Sequence, residues 1–180
     1  MPYSDRRFDE KLKELIKVSD CNSFLDVGPG SGKFGQYVRE IKGQNVDLVG
    51  VEVDSSYITQ FDLPSFYGKI YNEDIMDFIK TRPSFKIDFV YIGDCLEHLK
   101  KSEGLDLIHY LMYRSKIIVI CFPDKYVQYA WQGHDKEAHL SAWFENDFDD
   151  FDYKYYADGF MRFVVIKGYL SDPEAVGEDL

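Results

Sequence analysis

The sequence predicts an α/β fold: a mostly parallel sheet with helices on both faces, ending in a C-terminal antiparallel hairpin. Three observations carry this expectation. Short apolar runs alternate with helix-patterned stretches at intervals of roughly 20–25 residues, the mark of right-handed βαβ crossovers. A glycine-rich loop, "FLDVGPGSGKFG" (24–35), joins the first apolar run to the helix that follows it. After Pro123 the rhythm stops, and "FDYKYYADGFMRFVVIK" reads as two β-rich runs around Asp158-Gly159, a strong hairpin signal.

The elements follow in order. "SDRRFDEKLKELIKV" places Phe8, Leu12, Leu15 and Ile16 on one helical face, with Ser4 as candidate N-cap. "SFLDV" is a short strand, and "KFGQYVREIK" continues as a helix beyond the glycines. "VDLVGVEV" stays almost wholly apolar until Glu52, as a strand covered on both faces should. "GKIYNED" is a weaker strand, followed by helical "IMDFIK". "KIDFVYI" and "KIIVICF" are two further strands; between them Leu105, Ile108, Leu111 and Met112 form a helical stripe. A polar and aromatic loop then runs to Ser141, and "AWFENDF" reads as a short helix. Residues 1–170 are expected to form one domain, and the tail 171–180, "SDPEAVGEDL", to be disordered.

Composition narrows the function. With 180 residues, 45% of them hydrophobic, the chain can fill one core. A net charge of −11 argues against a long polyanionic partner, so nucleic acid is disfavoured. No run nears the ~18 apolar residues of a membrane span, and "MPYSDRRFDEKLKEL" lacks a signal-peptide pattern. Cys21, Cys95 and Cys121 are odd in number and show no CxxC spacing, which reads as reduced thiols in a cytoplasmic protein.

The glycine loop is not a Walker loop, because Gly32-Lys33 is followed by Phe34 and the first glycine position is Val27. The register that fits is acid-x-Gly-x-Gly-x-Gly: Asp26, Gly28, Gly30 and Gly32. Small residues let the backbone approach a ligand closely, and a helix N-terminus follows. An acid at the strand tip would repel a pyrophosphate and suits a cationic ligand. Glu52, at the end of the second strand, can accept hydrogen bonds from ribose hydroxyls, with Asp54 as the alternative partner.

In these residues the chain resembles the class I S-adenosylmethionine-dependent methyltransferases, over roughly residues 20–168. The resemblance implies a Rossmann-like seven-stranded sheet whose antiparallel last strand separates it from dehydrogenases. It implies S-adenosylmethionine as cofactor, held by Asp26, Gly28, Pro29, Gly30, Gly32, Glu52, Val53, Asp74, Ile75 and Asp94. Asp74 would contact the adenine amino group, with Ile75 beside it. "DCLEHL" (94–99) is similar to the family's "DVLEHL"-type segment at the reactive end of the cofactor.

Methyl transfer to an OH or NH acceptor needs a proton acceptor on the loops after the fourth and fifth strands, which makes His98 and His139 the catalytic candidates. His134 shares the second of these loops, and His109 reads as a packing residue. Asp94, Glu97, His98 and His139 also resemble the metal-binding pattern of small-RNA 3′-terminal 2′-O-methyltransferases, in which a divalent ion grips terminal ribose hydroxyls. Here the first acid is Asp and the chain is acidic, so a metal-free site is the favoured expectation. Tyr126, Tyr129, Trp131, Trp143 and Phe144 either wall an acceptor pocket or pack a lid. The expected function is methylation of a small or medium-sized acceptor, with oxygen the favoured atom. The alternatives are a metal-assisted 2′-O-methyltransferase of an RNA 3′ end, a non-catalytic binding module of the same fold, and a nicotinamide oxidoreductase. Neither acceptor identity nor oligomeric state is legible in the sequence.

Overall fold

The protein is described by a computed structural model that covers residues 4–129 and 138–170. Its strands are β1 (Ser23–Val27), β2 (Asp47–Val51), β3 (Lys69–Tyr71), β4 (Phe89–Gly93), β5 (Ile117–Pro123), β6 (Tyr153–Asp158) and β7 (Met161–Lys167). Its helices are α1 (Asp9–Val18), α2 (Lys33–Lys42), α3 (Ser55–Gln60), α4 (Ile75–Thr81) and α5 (Lys101–Met112). The strands form one seven-stranded sheet in the order β3-β2-β1-β4-β5-β7-β6. β1 to β5 run parallel, while β7 lies antiparallel between β5 and β6.

The apolar strands are buried on both faces, and alternate residues serve different cores. Leu25, Val27, Val90 and Ile92 face the core shared with α4 and α5. Phe24, Phe89 and Tyr91 face the core of α1 and α2, where Phe34 stacks on Phe89 and Tyr91.

Strand register positions the site. Val27 pairs with Val51 of β2 and with Ile92 of β4, so these three strands end at one level. The chain crosses from β1 outward to β2 and β3, then back to β4 on the other side. That reversal opens a crevice beyond the carboxyl ends of β1 and β4, where open α/β sheets hold their ligands.

Two local expectations need correction. Ser4 does not cap the first helix, which begins at Asp9 after an uncapped Phe8. The Ser4 hydroxyl and Asp5 amide are drawn to the Asp94 carboxylate instead. "AWFENDF" yields only a 3₁₀ turn at Glu145–Phe148. Of the two readings open for Trp143, packing is the one observed: it is 1% exposed and lies against Gly104 of α5, where a Cβ would collide with the indole. His109 packs edge-on against Phe151, as its pattern suggested. Trp131, His134 and the tail 171–180 lie outside the described residues. Among the described residues, no helix is long and apolar enough to cross a membrane.

Candidate active site

A cavity of about 480 Å³ occupies the crevice, walled by the glycine loop, the ends of β2 and β4, and the start of α4. The loop turns sharply because Gly28, Gly30 and Gly32 all adopt positive φ, at 70°, 51° and 78°. A side chain at any of them would be strained, so the motif's glycines are required by the backbone path. The Gly28 amide donates to the Val51 carbonyl at 3.0 Å, which ties the loop to the end of β2.

Glu52 follows at that end and is 4% exposed. Its Oε2 accepts from the Gly30 amide at 3.1 Å and its Oε1 from the Asp54 amide at 2.8 Å. The carboxylate is therefore oriented before any ligand arrives, and it lies on the cavity wall. Val53 lines the cavity beside it. Asp54 caps α3 through the Ser56 amide and also faces the cavity. Asp74 caps α4, its Oδ1 accepting from the Met76 amide at 2.8 Å, and lines the cavity together with Ile75.

Asp26 behaves differently. It is 2% exposed and absent from the cavity wall; its carboxylate accepts a short hydrogen bond from the Tyr67 hydroxyl. Burial pushes its carboxyl up to about 7, against the Tyr67 hydrogen bond, while the Glu52 charge raises it and Lys33 lowers it. Pro29 and Gly32 also lie behind the wall: Pro29 packs where a Gly50 side chain would stand, and Gly32 sits against Leu63.

Asp94, just past β4, lines the cavity with φ at 48°, a conformation that a non-glycine residue rarely adopts. Its Oδ2 is buried, with no hydrogen-bond partner among the described residues. Burial raises its carboxyl to about 6, opposed by the Lys33 charge and by the Ser4 and Asp5 hydrogen bonds. Cys95 also touches the cavity, and burial among carboxylates keeps its thiol protonated.

His98 and His139 meet. Their ring centroids are 4.8 Å apart, and His139 Nε2 lies 3.9 Å from a Glu97 oxygen. His98 Nδ1 contacts the Ala138 carbonyl at 3.1 Å, and His139 Nδ1 contacts the Tyr126 carbonyl at 2.8 Å. A carbonyl oxygen only accepts, so Nδ1 is the donor in both contacts, and Nε2 is the nitrogen that carries the lone pair whenever the ring is neutral. Glu97, 3% exposed, completes a group whose ligand atoms all lie within 4.8 Å of one another. Backbone-anchored imidazoles beside a carboxylate fit a divalent ion of the Mn or Zn type. Asp94, the fourth metal candidate, does not join that group.

No protein-family model matches the sequence, and no curated protein sequence matches it. The fold does have counterparts among solved structures. An O-methyltransferase family protein from Burkholderia thailandensis superposes with TM-score 0.64 at 11% identity, covering 92% of this chain and 57% of its own. A SAM dependent methyltransferase from Archaeoglobus fulgidus gives 0.61 at 19% identity, covering 89% and 97% respectively. The small RNA methyltransferase HEN1 gives 0.61 at 15% identity, covering 92% of this chain and 25% of its own. The protein has the class I methyltransferase fold.

Within this methyltransferase fold, the crevice gathers Gly28, Gly30, Glu52, Val53, Asp74, Ile75, Asp94 and His98 around one cavity, with His139 packed edge-on against His98. Of the aromatic residues expected near an acceptor, Tyr126 lies edge-on to His139, whereas Tyr129 is 82% exposed. Three contributors had no signal in the sequence. Ser4 reaches the cavity from the chain's start, Lys33 bonds to the Asp5 carbonyl and the Asp9 carboxylate beneath it, and Tyr67 meets Asp26 from a loop. Ser4 and Tyr67 arrive from outside any motif, and Lys33, though inside the glycine-loop stretch, is given its place only by tertiary contact.

Proposed function

We propose that this protein transfers a methyl group from S-adenosylmethionine to a small or medium-sized acceptor, with oxygen the favoured atom. The observation that carries the reading is Glu52, a carboxylate pre-oriented on the wall of a cavity at the switch point of a sheet whose β7 is antiparallel. Glu52 would accept from the ribose hydroxyls, and Asp74 with Ile75 would receive the adenine. Gly28 and Gly30 admit the amino-acid end to the backbone, and Asp26, Pro29 and Gly32 shape the loop from behind. Asp94 supplies a buried carboxylate to a cationic or hydrogen-bond-donating group.

S-adenosylmethionine supplies an activated methyl on a good leaving group, so the protein's task is alignment and proton removal. His98, on the wall, offers the lone pair that takes the acceptor's proton, and His139 packs edge-on against it. The cavity wall is rich in carboxylates, among them Glu52, Asp54, Asp74 and Asp94, which disfavours a nucleic-acid acceptor. A cytoplasmic location belongs to the same reading, supported by three free thiols. Residues 1–170 would be the catalytic domain, with 171–180 outside it.

Isothermal titration against S-adenosylhomocysteine and against NAD tests this directly. Binding of the first in the micromolar range and silence with the second is the expected result; the reverse overturns the reading.

The cluster of Glu97, His98 and His139 favours a second reading, in which a divalent ion is held there. Such an ion would bring Lewis acidity to the acceptor's oxygen. Titration of Mn²⁺ by electron paramagnetic resonance is expected to show one bound ion, lost in His139→Ala. Equal retention of Mn²⁺ by both proteins, or none in either, removes this reading.

A further inference from the structure

We infer that Tyr67 is a positioning residue that clasps the two ends of the glycine loop and thereby sets the affinity of the cofactor site; the inference rests on the S-adenosylmethionine reading above. The loop runs from Asp26, at the tip of β1, to Gly35, in the first turn of α2. One hydroxyl spans it: Tyr67 Oη donates to the Asp26 carboxylate and accepts from the Gly35 amide at 3.2 Å. Both polar functions of the phenol are used, and both partners are buried backbone or carboxylate groups that water does not reach.

The surrounding sequence makes room for this ring. A Cβ at Gly35 would stand 2.6 Å from Tyr67 Cζ and 2.7 Å from its hydroxyl. A Cβ at Gly50 would stand 3.3 Å from Tyr67 Cδ1. Glycine inside a helix is otherwise unfavourable, so Gly35 has a packing reason to be there. The ring is held at its root by the Tyr67 amide on the Leu63 carbonyl at 3.1 Å and the Gly68 amide on the Leu48 carbonyl at 2.9 Å. Tyr67 is thus fixed by β2 and by its own loop, and it transmits that position to the glycines.

The clasp also sets a charge. Asp26 is faced by Tyr67 from the loop before β3, by Glu52 from the end of β2 and by Lys33 from the start of α2. A hydrogen bond from the phenol favours the ionised carboxylate, and so does a cation bound in the cavity. Affinity for a ligand that brings a cation there, such as the ammonium group that S-adenosylhomocysteine shares with S-adenosylmethionine, therefore rises with pH as Asp26 ionises near 7 and levels off above. Asp94 contributes a separate rise near 6.

The test is isothermal titration of S-adenosylhomocysteine between pH 5.5 and 8.5 with the wild type, Tyr67→Phe, Asp26→Asn and Gly35→Ala. Tyr67→Phe keeps the ring and removes the donor. It is expected to bind about five- to tenfold more weakly at pH 7, with the upper rise displaced to higher pH. Asp26→Asn is expected to lose that upper rise and keep the lower one. Gly35→Ala, folded by its melting profile, is expected to copy Tyr67→Phe, and the phenylalanine variant alone suffices if it does not fold. Wild-type affinity and pH profile in Tyr67→Phe overturn the inference while leaving the cofactor reading intact. A wild type that binds no S-adenosylhomocysteine at any pH overturns both.

Discussion

Replacing His98 and His139 together by alanine is expected to lower methyl transfer by about 10²–10⁴-fold, while affinity for S-adenosylhomocysteine stays within about threefold. The separation follows from where the two rings sit. His98 lines the cavity and His139 packs edge-on against it, whereas the ribose and adenine contacts are assigned to Glu52 and Asp74. Nδ1 of each ring is engaged by the Ala138 or Tyr126 carbonyl, so Nε2 is the nitrogen the reaction can use. The measurement is S-adenosylhomocysteine formed per minute with an acceptor found by screening hydroxylated small molecules. Single variants sharpen it. If His98 is the base, His98→Ala carries most of the loss and His139→Ala a smaller share. Turnover in the double variant equal to wild type removes both residues from the chemistry.

Glu52→Gln is expected to weaken S-adenosylhomocysteine binding by about 30- to 150-fold, or about 2–3 kcal/mol, the usual worth of hydrogen bonds to a charged group. Two effects add. The amide offers one acceptor oxygen where the carboxylate served both the Gly30 and Asp54 amides, so the loop loses one of its ties. Its NH₂ group then faces a donor, and the negative charge that a ribose hydroxyl would meet is gone. Isothermal titration reads the affinity, and a melting curve run alongside separates loss of the ligand contact from loss of the fold. Binding within about twofold of wild type would exclude Glu52 from the ribose contact.

These two sites differ in how far they could be foreseen. The alternation of apolar runs with helical stripes carried the sheet, because a strand buried on both faces must be apolar throughout. The hairpin was equally plain, and its turn falls at Gly159-Phe160, between Asp158 and Met161. Glu52 and Asp74 were legible since the carboxyl ends of parallel strands deliver the residues that follow to one edge, Glu52 directly after β2 and Asp74 three residues past β3. The short elements were less so. Ser4 has the chemistry of an N-cap, yet its hydroxyl is spent on Asp94. Trp143 could be read as pocket wall or as packing, and the missing side chain of Gly104 decides it by opening a slot in the core.

Local pattern alone determined the α/β class, the strand-tip acids, the glycine loop and the pairing of two histidine-bearing loops with the fourth and fifth strands. Such features repeat with the period of the backbone or are set by φ, and both are local properties. Which way each acid faces was decided only by packing. Asp26 and Glu52 both stand at strand tips, but Gly35 and Gly50 leave space behind the sheet's edge that Tyr67 fills, and Tyr67 turns Asp26 inward. A ring reaching a carboxylate across a sequence separation of 41 positions leaves no periodic trace, because its energy comes from contacts between segments rather than within one.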